Sequence, residues 1–320
     1  MSVGEEVRGA AERHADPCWY TPPDLPPEVR AFDTPVKHLG VGSAGKVGLL
    51  DLGLAPVAGA TRVVRQYQQM PLYLYYPIYL DPGRPDMAFL YLLQGGDGML
   101  QGDRYRLDVA CAPGAAAHVT TQAASKIYRM EHNFASQMVN LGVGAGAYLE
   151  YLPDPVIPFR DARFYQRLRL TIDPTASAIL GEILLPGRVA RGEAYAYTLY
   201  YTDLEASTPE GALLFADRIV LAPGVAPPRS PGRLGSHDVL ATLYVATRQV
   251  SPPDLVGALR AALAAQDAVL AGVSELPNGS GAIVRLLGPS SLPVKHAVHL
   301  AWNAARLLLI GVPAPDLRKG

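Results

Sequence analysis

Apolar residues between positions 36 and 221 come in short runs that are separated by Gly, Pro or Asp. The runs recur at intervals of roughly 10 to 15 residues, and short strands at such spacing are typical of all-β domains. Several runs alternate apolar and polar positions; RFYQRLRLTI, for example, places Phe164, Leu168 and Leu170 on one face. Because this alternation has the period of a half-buried strand, we predict a mainly β body over residues 36–221. It would be either a large two-layer body of stacked sheets or a flattened, solenoid-like one.

The pattern changes towards the C-terminus. Residues 222–251 are predicted to form a turn-rich loop followed by a return strand. In the next two segments, 252–273 and 292–311, apolar residues recur every three or four positions, and each segment has Pro near its start, where a helix tolerates it. We therefore predict that residues 252–316 form a helical part, with two amphipathic α-helices packed on the β body. No repeat of fixed period is visible, which argues against a strictly regular solenoid.

Composition sets the N-terminal segment apart and excludes several classes of partner and site. Residues 1–35 are polar and rich in Pro, and they are predicted to form a flexible arm. The chain has 320 residues and a formal net charge of −1, so no electrostatic attraction to nucleic acid or acidic membranes is expected. Its two cysteines, Cys18 and Cys111, lack the spacing of a zinc site or of a disulfide framework. No signal peptide or membrane-spanning segment is evident, and the expected location is cytoplasmic.

Two glycine-rich stretches are similar to nucleotide-binding loops without completing the motif. GVGSAGKV at 40–47 has Val47 where a phosphate loop needs Ser or Thr for magnesium, and a strand pattern follows where a helix is required. GVGAG at 142–146 also leads into a strand pattern. Both stretches are predicted to be turns, so no nucleotide-binding site is expected.

Candidate catalytic and metal-binding side chains are scattered along the chain. His296 and His299 have the spacing of neighbours on one helix face. Ser125 precedes Lys126, but no G-x-S-x-G elbow is present. Carboxylates recur near the predicted strand ends, at Asp97, Asp103, Asp108, Glu150, Asp154, Asp161, Glu182 and Glu193. A pair of them would suit a carboxylate-dependent hydrolase on a β-fold, which is the alternative to a non-enzymatic role.

Four blocks stand out by their order and spacing: LLQGGDGMLQGDRYRLDV (92–109), VTTQAASKIYR (119–129), GAYLEYLPDPVIPF (146–159) and GEILLPGRVARGE (181–193). Together they resemble the signatures of the urease accessory protein D family. The signature positions are Gly102, Asp103, Thr120, Thr121, Ser125, Lys126, Tyr128, Arg129, Leu152, Pro153, Gly187, Arg188 and Gly192. One departure concerns Asp154-Pro155, because the family has Gln followed by an acid there, so the carboxylate is shifted by one position.

The resemblance implies a scaffold and metallochaperone rather than an enzyme. Such a protein binds apo-urease and supports GTP-dependent nickel insertion into the urease active site. The implied partners are accessory protein F, contacted directly, and the accessory GTPase G, reached through F; no nucleic acid or membrane is implied. The family fold is β-rich and flanked by helices, with a water-filled passage proposed for the ion. We expect no tightly bound cofactor, only transient Ni²⁺.

Five carboxylates are our candidates for the transient nickel path: Glu182, Asp154, Asp103, Glu150 and Glu193. Glu182 interrupts the apolar run AILGEILL, where a carboxylate needs water, a cation or a partner. The alternative for Glu182 is a buried salt bridge with Lys126, Arg129 or Arg188. Lys126 and Arg129 are expected to pair with nearby carboxylates.

The Tyr-rich segment LYLYYPIYL (72–80), together with the C-terminal helices, is the predicted docking surface for accessory protein F, because a permanent interface needs aromatic and aliphatic anchors.

Overall fold

A computed structural model describes residue 14 and residues 17–34, 45–96 and 98–317. Within these ranges the strands are β1 (Val47–Val57), β2 (Ala60–Gln69), β3 (Leu72–Tyr73), β4 (Ala88–Gln94), β5 (Arg104–Cys111), β6 (Ala116–Thr121), β7 (Ser125–Ile127), β8 (Ala135–Val143), β9 (Tyr148–Tyr151), β10 (Val156–Pro158), β11 (Arg163–Ile172), β12 (Ser177–Leu184), β13 (Leu199–Ser207), β14 (Leu213–Leu221), β15 (Val239–Thr247), β16 (Leu270–Glu275) and β17 (Gly281–Gly288). The α-helices are α1 (Pro27–Arg30), α2 (Pro252–Leu263) and α3 (Ser291–Ile310), and 3-10 turns lie at Pro17–Tyr20, Val189–Arg191 and Pro277–Gly279. Residues 1–13, 15, 16 and 35 of the predicted N-terminal arm, the first residues of GVGSAGKV, and Asp97 lie outside the described residues.

The strands form two stacked sheets. Sheet A has the order β14-β13-β11-β8-β5-β1-β2, and sheet B has the order β16-β17-β15-β12-β9-β6-β4-β3, with β7 and β10 attached at its side. The chain passes back and forth between the sheets, and successive strands within each sheet pair in parallel from β1 to β13 in sheet A and from β4 to β12 in sheet B. This two-layer, solenoid-like arrangement confirms the predicted mainly β fold.

The main core lies between the sheets. Aliphatic side chains at alternate positions fill it, such as Leu107 and Leu168 from sheet A and Leu149 and Leu180 from sheet B. Because side chains of a strand point alternately to its two faces, Arg167 and Arg169 of β11, which alternate with the core residues Leu168 and Leu170, point away from this core. Truncating one of the core leucines to Ala is expected to cost about 2–5 kcal/mol of folding stability.

A second core lies between sheet B and the C-terminal helices. Leu255 and Leu259 of α2 and Trp302 of α3 belong to the same buried cluster as Ile179 and Leu243 of the sheet. Sheet B is therefore covered on both faces, and all residues of β15 are buried. A strand that is buried on both sides gives a nearly continuous apolar run rather than an alternating one, which explains the sequence VLATLYVAT.

The C-terminal part contains the two predicted amphipathic helices and, between them, two strands. Helix α3 has almost the predicted bounds, whereas α2 begins at Pro252 behind the cap Ser251, whose side chain accepts from the backbone N–H of Asp254, and already ends at Leu263. The predicted continuation to residue 273 is wrong, because residues from Leu270 onwards form β16 and pair with β17. No helix in the described part of the chain is long and apolar enough to cross a membrane.

Residues 17–34 lie across the outer face of sheet A, and we call them the N-terminal strap. Leu25 and Val29 are buried in a cluster with Tyr165 and Tyr201. This part of the predicted flexible arm is therefore packed, because Leu25 and Val29, with Phe32 beside them, cover an aromatic surface on the sheet.

The polar contacts of the strap reinforce this packing. The guanidinium of Arg106 lies 3.7 Å from the ring centroid of Trp19 and donates to its carbonyl oxygen at 2.9 Å. Such a cation–π contact at a partly buried site stabilises the folded state by about 0.5–2 kcal/mol.

Candidate functional site

The second, third and fourth signature blocks meet at one corner of the fold, and the first block adjoins it through Met99, whose backbone N–H donates to the carbonyl oxygen of Lys126 at 2.8 Å. Strands β4, β6, β9 and β12 are parallel, so their C-terminal ends lie at the same edge of sheet B. At that edge the hydroxyl of Thr120 donates to the carbonyl oxygen of Leu152 at 2.6 Å, and the backbone N–H of Asp154 donates to the hydroxyl of Thr121 at 2.8 Å. Pro153 lies between these two contacts. We call this region, residues 119–129, 152–159 and 184–193, the signature corner.

The short strand β7 joins the second and third blocks. Ser125 and Lys126 are in register with Val156 and Ile157 of β10, and β10 also pairs with the end of β12. Because this strand pairing fixes the backbone of residues 125–127, Ser125 and Lys126 belong to a β-sheet and not to a nucleophile elbow. The segment therefore serves the structure of the corner.

The fourth block closes the corner through Arg188. Its guanidinium pairs with Glu193 at 2.6 Å and lies 4.1 Å from the ring centroid of Phe159. Tyr128 meets the same ring edge-on at 5.0 Å. Gly187 has a φ of +128°, and a Cβ atom there would lie 2.4 Å from the carbonyl oxygen of Glu193, so the turn that places Arg188 requires glycine.

The salt bridge to Arg188 also explains Glu193. Its Oε2 accepts the Arg188 Nε–H at 2.8 Å and the backbone N–H of Arg160 at 3.3 Å. The hydrogen bond from Arg188 holds the pKa of Glu193 below its usual value. Gly192 ends the 3-10 turn that brings Glu193 back to Arg188.

Asp103 is a buried structural carboxylate. Its oxygens accept the backbone N–H groups of Lys46 and Leu100, both at 2.9 Å, and the Lys46 ammonium lies at 3.1 Å. Gly102, which precedes it, donates its N–H to the carbonyl oxygen of Phe134 at 3.0 Å. This signature pair therefore ties the turn before β5 to the start of β1.

Arg129 pairs with Asp161 at 3.3 Å, as expected for a nearby carboxylate, but the two side chains are 67% and 44% exposed. An ion pair at such exposure contributes about 0–1 kcal/mol. Within the described residues, Lys126 forms no ion pair with a carboxylate, so this half of the expected pairing is not seen.

Asp154 lines a surface groove of about 1320 Å³ beside the signature corner. The other wall of the groove comes from α3 and the segment after it, through residues such as Lys295 and Asp316. Residues 122–124 line this groove and also an interior cavity of about 130 Å³, which is bordered by Gln94 and Gln137. A three-residue loop therefore separates the outside of the corner from the space between the sheets.

Glu182, one of the five predicted path residues, lies between the two sheets. The hydroxyl of Tyr200 donates a short hydrogen bond to its Oε1, and Thr202 lies 3.4 Å from its Oε2. It lines a small cavity of about 20 Å³ that also borders Gln166, enough space for about one water molecule. The salt bridges to Lys126, Arg129 or Arg188 that were considered for Glu182 are not among its contacts.

Burial sets the proton affinity of Glu182. It raises the pKa of this carboxyl to about 6, although the hydrogen bonds from Tyr200 and Thr202 and the charge of Arg285 lower it. Near neutral pH the group is thus mostly a carboxylate, and it takes up a proton when the pH falls only slightly below neutral.

Glu150 belongs to a buried ionic cluster. Arg306 on α3 donates to it at 3.0 Å and pairs with Asp81, while His118 donates from Nδ1 at 2.6 Å and Tyr148 from its hydroxyl, also at 2.6 Å. Burial favours the neutral acid, but the contacts with His118, Arg306 and Tyr148 outweigh it and keep the pKa of Glu150 below its usual value.

Sequence reasoning missed Arg306, although a signal was available. It follows Trp302 by one helical turn and therefore falls on the buried face of α3. A charged residue on such a face requires a buried partner.

Potential metal ligands do not converge in the described ranges. No group of three or more His, Cys, Asp or Glu side chains within them is arranged to hold a metal ion. His299 of the helical pair packs edge-on against Trp302, with ring centroids 5.6 Å apart, and burial lowers its pKa. A partly buried imidazole on an aromatic ring is typical of a packing residue.

The sequence is similar to proteins of one family over most of its length. Residues 46–319 match the profile described as UreD urease accessory protein. The chain is 46% identical to urease accessory protein UreD 2 of Streptomyces griseus over 286 residues, which cover 88% of this chain and 96% of that protein. It is 37% identical to urease accessory protein UreD of Cenarchaeum symbiosum over 282 residues, covering 88% and 99%. The protein of the same name from Haloarcula marismortui is 36% identical over 284 residues, covering 89% and 94%.

Proposed function

Since the chain belongs to the UreD family of urease accessory proteins, we propose that it binds apo-urease and supports nickel insertion into the urease active site. Membership of this family makes the chain an accessory protein in urease maturation and not an enzyme, so the alternative of a carboxylate-dependent hydrolase is set aside. The proposal extends this role to a GTP-dependent process with accessory protein F as direct partner and the GTPase G as partner through F.

The observation that carries the nickel proposal is the position of Glu182. A carboxylate between two sheets is unfavourable unless it meets a partner, and its partners are neutral hydroxyls from Tyr200 and Thr202. Because hydroxyls satisfy lone pairs without cancelling the charge, Glu182 attracts a cation that reaches the cavity. A cargo ion must be bound only transiently. A single carboxylate with uncharged neighbours is better suited to such weak coordination than a closed site with several ligands.

A polar line from the signature corner to Glu182 supports a route for the ion. The interior cavity behind residues 122–124 is bordered by Gln137 on β8. Gln166 on β11 is in register with Gln137 and lines the Glu182 cavity. We propose that the ion enters near Asp154, passes residues 122–124 and these two amides, and reaches Glu182.

The other three carboxylates are proposed to have structural roles. Asp103, Glu150 and Glu193 each pair with a cationic side chain, Lys46, Arg306 and Arg188 respectively. These ion pairs already supply the positive charge that a metal ion would otherwise bring.

The Tyr-rich segment supports the proposed contact with accessory protein F. Tyr75, Tyr76 and Ile78 are 66%, 83% and 50% exposed, which is unusual for large apolar side chains that lie next to each other. Aromatic anchors of this kind dominate the energy of protein–protein interfaces. Ile78 also lines the groove that contains Asp154, so a partner on this segment would sit beside the proposed entry of the ion.

The test is nickel transfer to apo-urease in the presence of proteins F and G and GTP. We expect Glu182→Gln and Asp154→Asn to lower both the nickel content of urease and its activity, while the complex with F still elutes as one species. Glu210→Gln and Asp267→Asn, which change exposed carboxylates in the same way, are the matched controls. Normal nickel loading by Glu182→Gln would remove Glu182 from the path.

A structural role for Glu182 would give a different result. In that case Glu182→Gln would melt at a much lower temperature than the wild type and would lose the complex with F. Thermal melting of each variant before the transfer assay therefore separates loss of the ion path from loss of the fold.

A further inference from the structure

A chain of hydrogen bonds links the Glu182 cavity to the protein surface at one edge of the two sheets. Tyr244 on β15 lines this cavity, and its hydroxyl donates to the carboxylate of Asp217 on β14. Asp217 in turn forms an ion pair with Arg285 on β17. The chain of contacts thus begins at the wall of an interior cavity and ends at a guanidinium group.

Strand register places these residues together. Glu182, Thr242 and Arg285 are in-register neighbours on β12, β15 and β17, so their side chains share the inner face of sheet B. Asp217 is in register with Leu204, which belongs to the core between the sheets. Because β14 is the terminal strand of sheet A, Asp217 reaches the gap between the sheets at their open edge.

The outer members of this chain are accessible and the inner one is buried. Arg285 and Asp217 are 35% and 21% exposed. The ring of Tyr244 is buried and stacks on Phe215, with centroids 6.0 Å apart. Burial and the neighbouring Asp217 raise the pKa of Tyr244, so its hydroxyl remains a neutral donor at physiological pH.

Tyr244 and Arg285 donate to the same oxygen of Asp217, the Oδ2 atom. A cation that binds this oxygen must therefore compete with both donors at once. Arg285 has a second acceptor in the hydroxyl of Thr242 at 3.0 Å, so it retains a partner when it leaves Asp217. Carboxylate oxygen is a common ligand for divalent metal ions.

We propose that Tyr244, Asp217 and Arg285 form a latch at the outer end of the Glu182 cavity, and that a divalent metal cation opens it by replacing Arg285 and the Tyr244 hydroxyl on Asp217. The inference rests on the proposed function insofar as the cation is the one that Glu182 holds. It adds a second metal-binding carboxylate, Asp217, and a resident guanidinium that occupies this carboxylate until the metal ion arrives.

The charges of the latch residues Arg285 and Asp217 influence Glu182 in the cavity. Arg285 lowers the pKa of Glu182, and Asp217 raises it. A change of charge at the latch therefore alters the electrostatic interaction with Glu182, which is itself buried between the sheets. A dication at Asp217 would therefore disfavour a second cation at Glu182, so one metal ion moves between the two carboxylates.

The test is binding of Ni²⁺ to the full chain without partners, measured by isothermal titration calorimetry. Removing the resident cation in Arg285→Gln is expected to tighten Ni²⁺ binding by about tenfold or more, because one neighbouring positive charge no longer competes. The gain should disappear in the double variant Arg285→Gln/Asp217→Asn. Arg248→Gln, which changes an exposed arginine elsewhere, should bind like the wild type.

A second variant makes the result independent of how Arg285→Gln folds. Tyr244→Phe keeps the stacked ring and removes only the donor to Asp217, so we expect Ni²⁺ uptake in stopped-flow mixing to become several-fold faster. Unchanged affinity in Arg285→Gln, or unchanged uptake in Tyr244→Phe, overturns the latch. Neither result depends on urease, so the latch can fail while Glu182→Gln still lowers nickel transfer, and the reverse outcome is equally distinguishable.

Discussion

Arg306 on the last helix donates two hydrogen bonds to Glu150 on β9, at 3.0 and 3.3 Å, and both side chains are completely buried. The two residues are 156 positions apart in the chain. Removal of one partner from a buried pair leaves an uncompensated charge and typically costs about 3–5 kcal/mol. The pair therefore fixes α3 to sheet B.

Replacing Arg306 tests this directly. We expect Arg306→Met, which keeps much of the volume, to lower the free energy of unfolding by about 3–5 kcal/mol, because Asp81 and Glu150 lose their cation. Urea denaturation gives the value. Arg191→Met, at an exposed position, is the matched control and should change stability by less than about 0.5 kcal/mol.

The double variant Arg306→Met/Glu150→Gln sharpens the assignment. If the pair is structural, the second change restores part of the loss, since one of the unpaired charges is gone. If the loss of unfolding free energy in the double variant equals the sum of the losses in the two single variants, a direct interaction is contradicted.

Glu182 gives the stability of the fold a pH dependence with a definite sign. Its pKa is raised from 4.5 to about 6 in the folded protein, so the unfolded chain releases this proton first as pH rises. The wild type should therefore lose up to about 2 kcal/mol of stability between pH 4.5 and 6 through this group. Glu182→Gln does not titrate, and its stability relative to the wild type should rise by that amount across the same window. Denaturant unfolding from pH 4 to 7.5 measures the difference, and a difference that is constant with pH would refute the raised pKa.

The exposed tyrosines predict the effect of a surface change on partner binding. Tyr75→Ser/Tyr76→Ser should weaken the complex with accessory protein F by about tenfold or more, because buried aromatic anchors carry much of an interface's energy. Biolayer interferometry with purified F provides the affinities. Val225→Ser, a change at a single apolar residue that is 87% exposed, should leave the affinity unchanged. Equal affinities for the wild type and the double variant would place the docking surface elsewhere.

Metal binding by the isolated protein should be weak. Within the described residues no three potential ligands converge, and one or two carboxylates do not form a closed coordination site. We expect Ni²⁺ and Zn²⁺ to bind in the micromolar range or looser and to be lost on dialysis. Stoichiometric metal after treatment with a chelator, measured by atomic absorption, is the opposing result.

The pattern of the sequence was sufficient for the fold class and for helix α3, but not for every element. Alternation along β11 and the apolar face of α3 are local signals, and they were interpreted correctly. Strand β16 was missed because Val269 and Leu270 continue the helical spacing of α2, and only pairing with the later strand β17 makes this segment β. The packing of Leu25 and Val29 depends on Tyr165 and Tyr201, more than 130 residues away, and no local pattern contains that information.

In the candidate site, too, the local signal was recognised from the sequence and the long-range contacts were not. Glu182 was recognised because a single charge interrupts an apolar run. Its neighbours Tyr200 and Thr202 come from a different sheet, and Asp217 and Arg285 come from two further strands. Polar residues on edge strands are common, so their convergence is visible only once the register of the strands is known.

The N-terminal strap has a consequence for the order of events during synthesis. Leu25 and Val29 leave the ribosome first, but the aromatic surface that covers them is complete only when Tyr201 has been made. At about 5–20 residues per second, the nascent strap waits roughly 10 to 35 seconds for that surface. During this delay the apolar side chains of the strap stay exposed, and the Pro and acidic residues between them disfavour pairing with other unfinished chains as a strand.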